Sequence, residues 1–245
     1  MLNITAEEKK TLKGRGYIMS KDGEHFVARI ITVDGTLTDA ELLKIAEASR
    51  KFGSGKVALT SRMTVEVQGL TYENLEPFNE FIAEAGLYTG GTGARVRPIV
   101  PCKGTVCVHG LIDTQGLARE LHETFYKGWY DIALPHKFKI GIGGCPNNCV
   151  KPGLNDFGIM GWKGGYRIFV GGIWGKKQRP GTLIDRVFTK DEVFEMLERC
   201  LLLFMELADG KERFGAMIDR IGVENFLAQL EAGDVMDRKS QILAR

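Results

Sequence analysis

The sequence predicts an α+β chain in two parts, residues 1–93 and 94–245, and three observations carry that reading. The first ninety residues alternate strand-like and helix-like patterns in the order β-α-β-β-α. A glycine-rich run, Thr89-Gly90-Gly91-Thr92-Gly93, then interrupts the pattern. After it, short strands bounded by glycine give way to a helical C-terminal third.

Each element of the first part has a local cause. Glu24–Val33 (EHFVARIITV) is rich in β-branched and aromatic residues and reads as a strand. Asp34-Gly35 makes a turn. Thr38 and Asp39 supply a helix cap, Leu42, Ile45 and Ala46 an apolar face, and Gly53 a stop, so a helix is expected to about Phe52. Lys56–Leu59 and Thr64–Val67 read as two short strands around Thr60-Ser61-Arg62-Met63. Thr71 is expected to cap a second helix to about Ala85, closed by Gly86. This is the order of a ferredoxin-like split βαβ half domain, βαββα(β), with Arg95–Val100 as its candidate last strand. The glycine run lacks GxGxxG spacing and no Walker lysine follows, so it reads as a linker rather than a phosphate cradle.

In the second part, Asp113-Thr114 can cap a helix to about Lys127. Lys137–Ile142 reads as a strand running into Gly143-Gly144-Cys145, and Asn155–Met160 and Tyr166–Val170 as further strands. Thr189-Lys190-Asp191-Glu192 is a capping-box signature for a helix to about Leu207. Helices over Glu212–Arg220 and Val223–Ala232 follow, and the polar tail from Asp234 is expected to be loosely held.

Composition excludes several classes. With 245 residues, 44% hydrophobic and 26% charged, the chain can bury a core without staples and is neither disordered nor collagen-like. No apolar run approaches the length of a membrane span, and the first ten residues carry no apolar leader pattern, so the expectation is a cytoplasmic protein without membrane insertion. A net charge of +2 is too mild to argue for nucleic acid.

Five cysteines in such a chain are not expected to form disulfides. Cys102 and Cys107 make one close pair, Cys145 and Cys149 a second. Four soft thiolates suit zinc or an iron–sulfur cluster. Glycine and proline around both pairs let each loop bend until its sulfurs converge; small buried apolar thiols are the plainer alternative. Both spacings lie at or beyond the long end of the zinc range, which favours iron–sulfur. Cys200, mid-helix beside Leu201, reads as a core residue.

Several separated stretches then carry a resemblance: Phe26-Val27-Ala28-Arg29 leading to Asp34-Gly35; Leu59-Thr60-Ser61-Arg62; Val96-Arg97-Pro98-Ile99-Val100-Pro101-Cys102; Gly143-Gly144-Cys145-Pro146-Asn147-Asn148-Cys149-Val150-Lys151-Pro152; Gly171-Gly172; and Glu212-Arg213-Phe214-Gly215. Together they resemble the short, low-molecular-weight siroheme-dependent sulfite and nitrite reductases, and they cover nearly the whole chain. The resemblance implies a sulfite-reductase-type cluster and haem domain in the second part. Cys102, Cys107, Cys145 and Cys149 would hold a [4Fe–4S] cluster, with Cys149 also the axial ligand of the siroheme iron. Siroheme's carboxylates need fixed charge and polar donors, for which Arg29, Arg62, Arg95, Lys103, His109, Asn148 and Lys151 are the candidates. Lys137 and Lys139, matching a Lys-x-Lys feature, and Arg97 would bind the small oxyanion; strand alternation puts the two lysines on one face.

The implied reaction is the six-electron reduction of sulfite to sulfide, with nitrite to ammonia, or a siroheme-free [4Fe–4S] electron-transfer subunit, as the alternatives. The sequence holds no flavin or nicotinamide motif, so electrons are expected from a separate protein such as a ferredoxin or a reductase subunit. His109 and His136 are possible cofactor contacts or proton donors, while His25 and His122 read as surface residues. Three positions depart from the family pattern. Four residues rather than five separate Cys102 from Cys107, Ile31 stands where larger members carry a second arginine, and Met63 stands where a glutamine often follows the arginine. Larger members also contain two related halves where this chain has one, so a homodimer is one expected way to supply the second.

Overall fold

The computed structural model describes Leu2 and residues 4–244, which form two compact units dividing between Gly93 and Ala94. The first unit opens with α1 (Ala6–Gly14), started by a reciprocal capping box between Thr5 and Glu8. It continues with β1 (Tyr17–Met19), β2 (Phe26–Ile30), α2 (Asp39–Phe52), β3 (Val57–Leu59), β4 (Val65–Leu70) and α3 (Leu75–Ala83). The strands form an antiparallel sheet in the order β1-β2-β4-β3. Along β2, Phe26, Ala28 and Ile30 are buried while Val27 and Arg29 point to the other face, the alternation a sheet with one covered side requires. The covered side packs on Ile45, Phe78 and Ile82 of the two longer helices.

Three expectations for this unit are corrected. Thr71 makes no side-chain cap, and the stretch expected as one helix is a 3-10 turn, Tyr72–Asn74, followed by α3. Pro77 is the physical reason: it has no amide to donate, and its ring crowds the carbonyl one turn earlier. The sheet's remaining strand is Tyr17–Met19, paired Tyr17↔Ala28, and not Arg95–Val100, which lies in the second unit and is interrupted by Pro98. The glycine run is no loose linker either: the Gly90 amide donates to the Arg29 carbonyl at 3.0 Å, and Thr89 bridges Ile30.

The second unit comprises β5 (Val100–Pro101), α4 (Thr114–Leu121), β6 (Ile140–Gly143), β7 (Phe157–Trp162), β8 (Gly165–Val170), β9 (Thr182–Phe188), α5 (Lys190–Leu207), α6 (Phe214–Ile221), α7 (Val223–Ala232) and α8 (Lys239–Leu243). Its sheet runs β5-β6-β7-β8-β9, the first three strands parallel and the rest antiparallel. Every residue of β6 is buried, as a parallel strand covered on both faces should be. Phe214 is the hub of the helical layer, its ring 5.1 Å from Phe138, 5.4 Å from Phe204 and 5.5 Å from Phe226. β9 carries little sequence signal because Asp185, Arg186 and Val187 all face outward between Ile184 and Phe188. The tail is docked rather than loose: Val235 and Ile242 are buried, and Arg238 grips Glu206 through two contacts of 2.8 Å.

His122 is also corrected. It is fully buried in a π-helical turn, His122–Lys127, that continues α4, and its ring stacks on Tyr126 at 4.7 Å. Burial keeps the imidazole neutral and pushes its pKa down to about 4. Between that value and the unfolded value near 6.5 the unfolded chain binds the extra proton, so stability falls as pH falls through this window. We expect a loss of about 2–3 kcal/mol from pH 6.5 to 4 by urea denaturation. In His122→Phe that limb should vanish.

Candidate functional site

Parallel pairing gathers the cysteines. β5 and β6 run side by side with Pro101 opposite Ile142, and the Cys102 amide continues the ladder to the Ile142 carbonyl at 2.9 Å. Cys102 directly follows β5 and Cys145 closely follows β6, so both cysteine loops leave the same edge of the sheet. The second loop, residues 144–156, is also the crossover to parallel β7. The Gly144 amide donates to Cys102 Sγ at 3.1 Å. A side chain at Gly144 would lie 2.9 Å from the Gly104 Cα and 3.3 Å from that sulfur, so only glycine lets the loops approach this closely. Asn148 (φ 57°) and Lys151 (φ 48°) both take the left-handed conformation, which costs a residue with a Cβ and concentrates at functional loops. Cys102, Cys107 and Cys145 are half-buried and Cys149 is exposed. Among the described residues no three Cys, His, Asp or Glu side chains close on a single-ion site.

The cations come from the same two segments, upstream of the strands. Val96 and Phe138 form a parallel bridge, with the Arg97 amide donating to the Phe138 carbonyl at 2.8 Å and the Phe138 amide to the Arg95 carbonyl at 3.0 Å. Both bridge residues are buried. Alternation therefore turns Arg95, Arg97, Lys137 and Lys139, all half-buried, to the opposite face. Arg95 spends its guanidinium over the Tyr130 ring at 4.5 Å. Arg97, Lys137 and Lys139, the oxyanion-binding candidates, share this face.

Two residues not singled out as site residues from sequence join this face. The Asp156 side chain is fully buried at the start of β7 and accepts the Lys139 amide at 2.9 Å. Both its oxygens accept from Arg213 Nη2, at 2.9 and 3.0 Å. Burial pushes the Asp156 carboxyl up, against the pull of Arg213 and the Lys139 amide. Arg213 caps the start of α6, and its charge reaches His136 together with those of Lys137 and Arg97. Arg213 lay within the Glu212–Gly215 stretch already quoted; for Asp156 the only signal was an acid beside an apolar strand.

The remaining predicted residues are placed separately. Lys103, His109, Asn148 and Lys151 are exposed in the cysteine loops. Arg29 and Arg62 belong to the first unit. Arg29 binds Glu66 at 2.5 and 2.9 Å and the Gly91 carbonyl at 3.3 Å. Arg62 sits in a tight turn in which Thr60 Oγ1 accepts the amides of Arg62 and Thr64, followed by Met63 at φ 58°. No helix among the described residues is long and apolar enough to cross a membrane.

Comparison with known proteins adds the following. A family model described as the nitrite and sulphite reductase 4Fe-4S domain matches residues 92–236, and one described as the nitrite/sulfite reductase ferredoxin-like half domain matches residues 18–85. The NAD(P)H nitrite reductase of Bacillus subtilis is 29% identical over 208 residues, which is 84% of this chain and 25% of that protein. The assimilatory-type sulfite reductase of Nitratidesulfovibrio vulgaris is 28% identical over 212 residues, 86% of this chain and 94% of that protein. The chain spans between a quarter and a half of the first curated relatives, at 25%, 50% and 43% of their lengths. The fold is shared with the NirA protein of Mycobacterium tuberculosis, with a TM-score of 0.81 at 18% identity, covering 94% of this chain and 47% of that one.

Proposed function

The chain belongs to the nitrite and sulphite reductase family, and from that premise we propose that it is a siroheme–[4Fe–4S] oxidoreductase reducing sulfite to sulfide. One observation carries the proposal: each of two adjacent parallel segments bears cations before its strand and a thiol after it. Nitrite is the second reading, favoured by the activity named for the Bacillus subtilis relative.

The donor set fits the cluster. Four free thiols lie in the two loops that follow the parallel strands β5 and β6, glycines let those loops meet, and one sulfur already accepts a backbone amide, the kind of bond that tunes cluster sulfurs. We assign Cys102, Cys107, Cys145 and Cys149 to the [4Fe–4S] cluster and Cys149 also to siroheme. Asn148 and Lys151 are assigned to siroheme's carboxylates on the resemblance. When bound, the two groups supply electrons singly to the anion. The chain's own residues do the rest. Arg97, Lys137 and Lys139 hold the oxyanion and the charge that builds on its oxygens. The lysines, crowded by other cations, give protons to departing oxygens. The electrons come from an external donor protein.

The test is the anaerobic UV–visible spectrum of protein from its native host, with iron and tetrapyrrole counted on the same sample. Siroheme bands and sulfide formation with an artificial reductant are expected. Iron without tetrapyrrole would instead make the chain an electron-transfer subunit. Lys139→Ala should weaken sulfite binding about tenfold, the worth of one charged hydrogen bond, with siroheme content unchanged. Equal losses of both would move Lys139 to the cofactor site.

A further inference from the structure

We infer that His136 donates a hydrogen bond from Nε2 to the oxyanion, adding a donor beside the cations without adding a charge. The inference rests on the oxyanion reading of that face. His136 immediately precedes Lys137-Phe138-Lys139 and is half-buried. Its Nδ1 accepts the amide N–H of Lys137 at 2.7 Å. A ring nitrogen that accepts carries no proton, so the single proton of the neutral ring is on Nε2. No protein atom among the described residues takes that Nε2–H.

The surroundings favour the neutral state. The charged groups around the ring are Lys137 beside it, Arg97 from the bridged segment and Arg213 from the start of α6. All three are cations, and the Asp156 carboxylate is committed to Arg213 and the Lys139 amide. Burial first, then these cations, lower the imidazole's affinity for a second proton. That proton could bind only at Nδ1, where it would displace the Lys137 amide. A neutral imidazole serving as electrophile among charged groups is a known catalytic pattern. Here it would leave proton delivery to the lysines and keep anion affinity independent of the imidazole's titration.

Nitrite is the probe for the test, because it keeps one charge across the range in which sulfite takes up a proton. Siroheme-loaded, oxidised protein is titrated with nitrite at about pH 5.5, 6.5 and 8, the window in which an ordinary histidine changes charge, and the Soret shift is followed. Wild-type affinity should vary with pH no more than that of His136→Gln, since the Lys137 amide occupies the only nitrogen at which the ring could take a second proton. His136→Gln, whose amide can donate from a similar place, should stay within about threefold of wild type. His136→Leu should bind nitrite about tenfold more weakly at every pH, with siroheme content unchanged. Tighter wild-type binding at low pH that disappears in His136→Gln would show a charging ring and overturn the inference. So would His136→Leu binding as wild type, or losing siroheme. Siroheme-loaded wild type that binds neither nitrite nor sulfite would overturn the oxyanion reading together with the inference.

Discussion

Cys149→Ser is expected to strip the chain of both prosthetic groups, while Cys200→Ala leaves both in place. Cys149 stands exposed in the crossover between β6 and β7, within the glycine- and proline-rich loop that also carries Cys145. Serine keeps the shape of the side chain but is a hard, weakly acidic oxygen where a soft thiolate is required. In the proposed assignment this single sulfur serves the cluster and the siroheme iron, so tetrapyrrole and iron should fall together. Both should fall by more than half in protein purified under the conditions that load the wild type. Cys200 is the internal control. It is wholly buried in α5, and burial pushes its thiol far above the ordinary range against the weaker pull of the neighbouring Arg199 charge. Counting iron and tetrapyrrole per chain in the two variants decides the ligand set. A cluster that survives in Cys149→Ser, or is lost in Cys200→Ala, would refute it.

What was legible in the sequence follows physical lines. Helices with reciprocal caps at Thr38 and Thr189 read almost residue for residue, because a hydroxyl and a glutamate three positions on fix a helix start locally. The strand carrying Phe26, Ala28 and Ile30 read from its β-branched and aromatic residues, which suit a half-buried pleated surface. What did not read depends on partners distant in sequence. Tyr17–Met19 becomes a strand only because β2 lies beside it. The tail docks because Glu206 and the core accept it. His122 is buried by tertiary packing that no local pattern announces. For the candidate site, the lysine pair and Arg97 stood out from motif and alternation. The bridge between Val96 and Phe138 that places them on one face was not. Asp156 was the least legible, since its role depends on Arg213, which lies in the C-terminal helices.

Arg213→Ala is expected to destabilise the second unit by about 3–5 kcal/mol, because it leaves a buried carboxylate without its counter-charge. The penalty should depend on pH in a definite direction. Arg213 is the strongest influence opposing the upward push of burial on Asp156, so its removal raises that carboxyl further. A carboxyl whose folded-state pKa lies above its unfolded value keeps its stability below the unfolded value and loses it as pH rises through the folded one. The deficit of Arg213→Ala should therefore be smallest near pH 4 and grow toward neutrality, opposite in sign to the His122 limb. Asp156→Asn in the Arg213→Ala background should recover part of the loss at neutral pH, because no buried charge then remains. Urea denaturation of the four proteins of this cycle at both ends of the range gives the coupling. A deficit that does not vary with pH would mean that Asp156 is not the charge at stake. Substrate affinity offers a second reading of the same carboxylate. Asp156 fixes the Lys139 backbone as well as Arg213, so it acts as a positioning residue for the cationic face. Asp156→Asn should raise the KM for sulfite more than it lowers kcat, whereas a purely structural residue would lower activity only as the folded fraction falls.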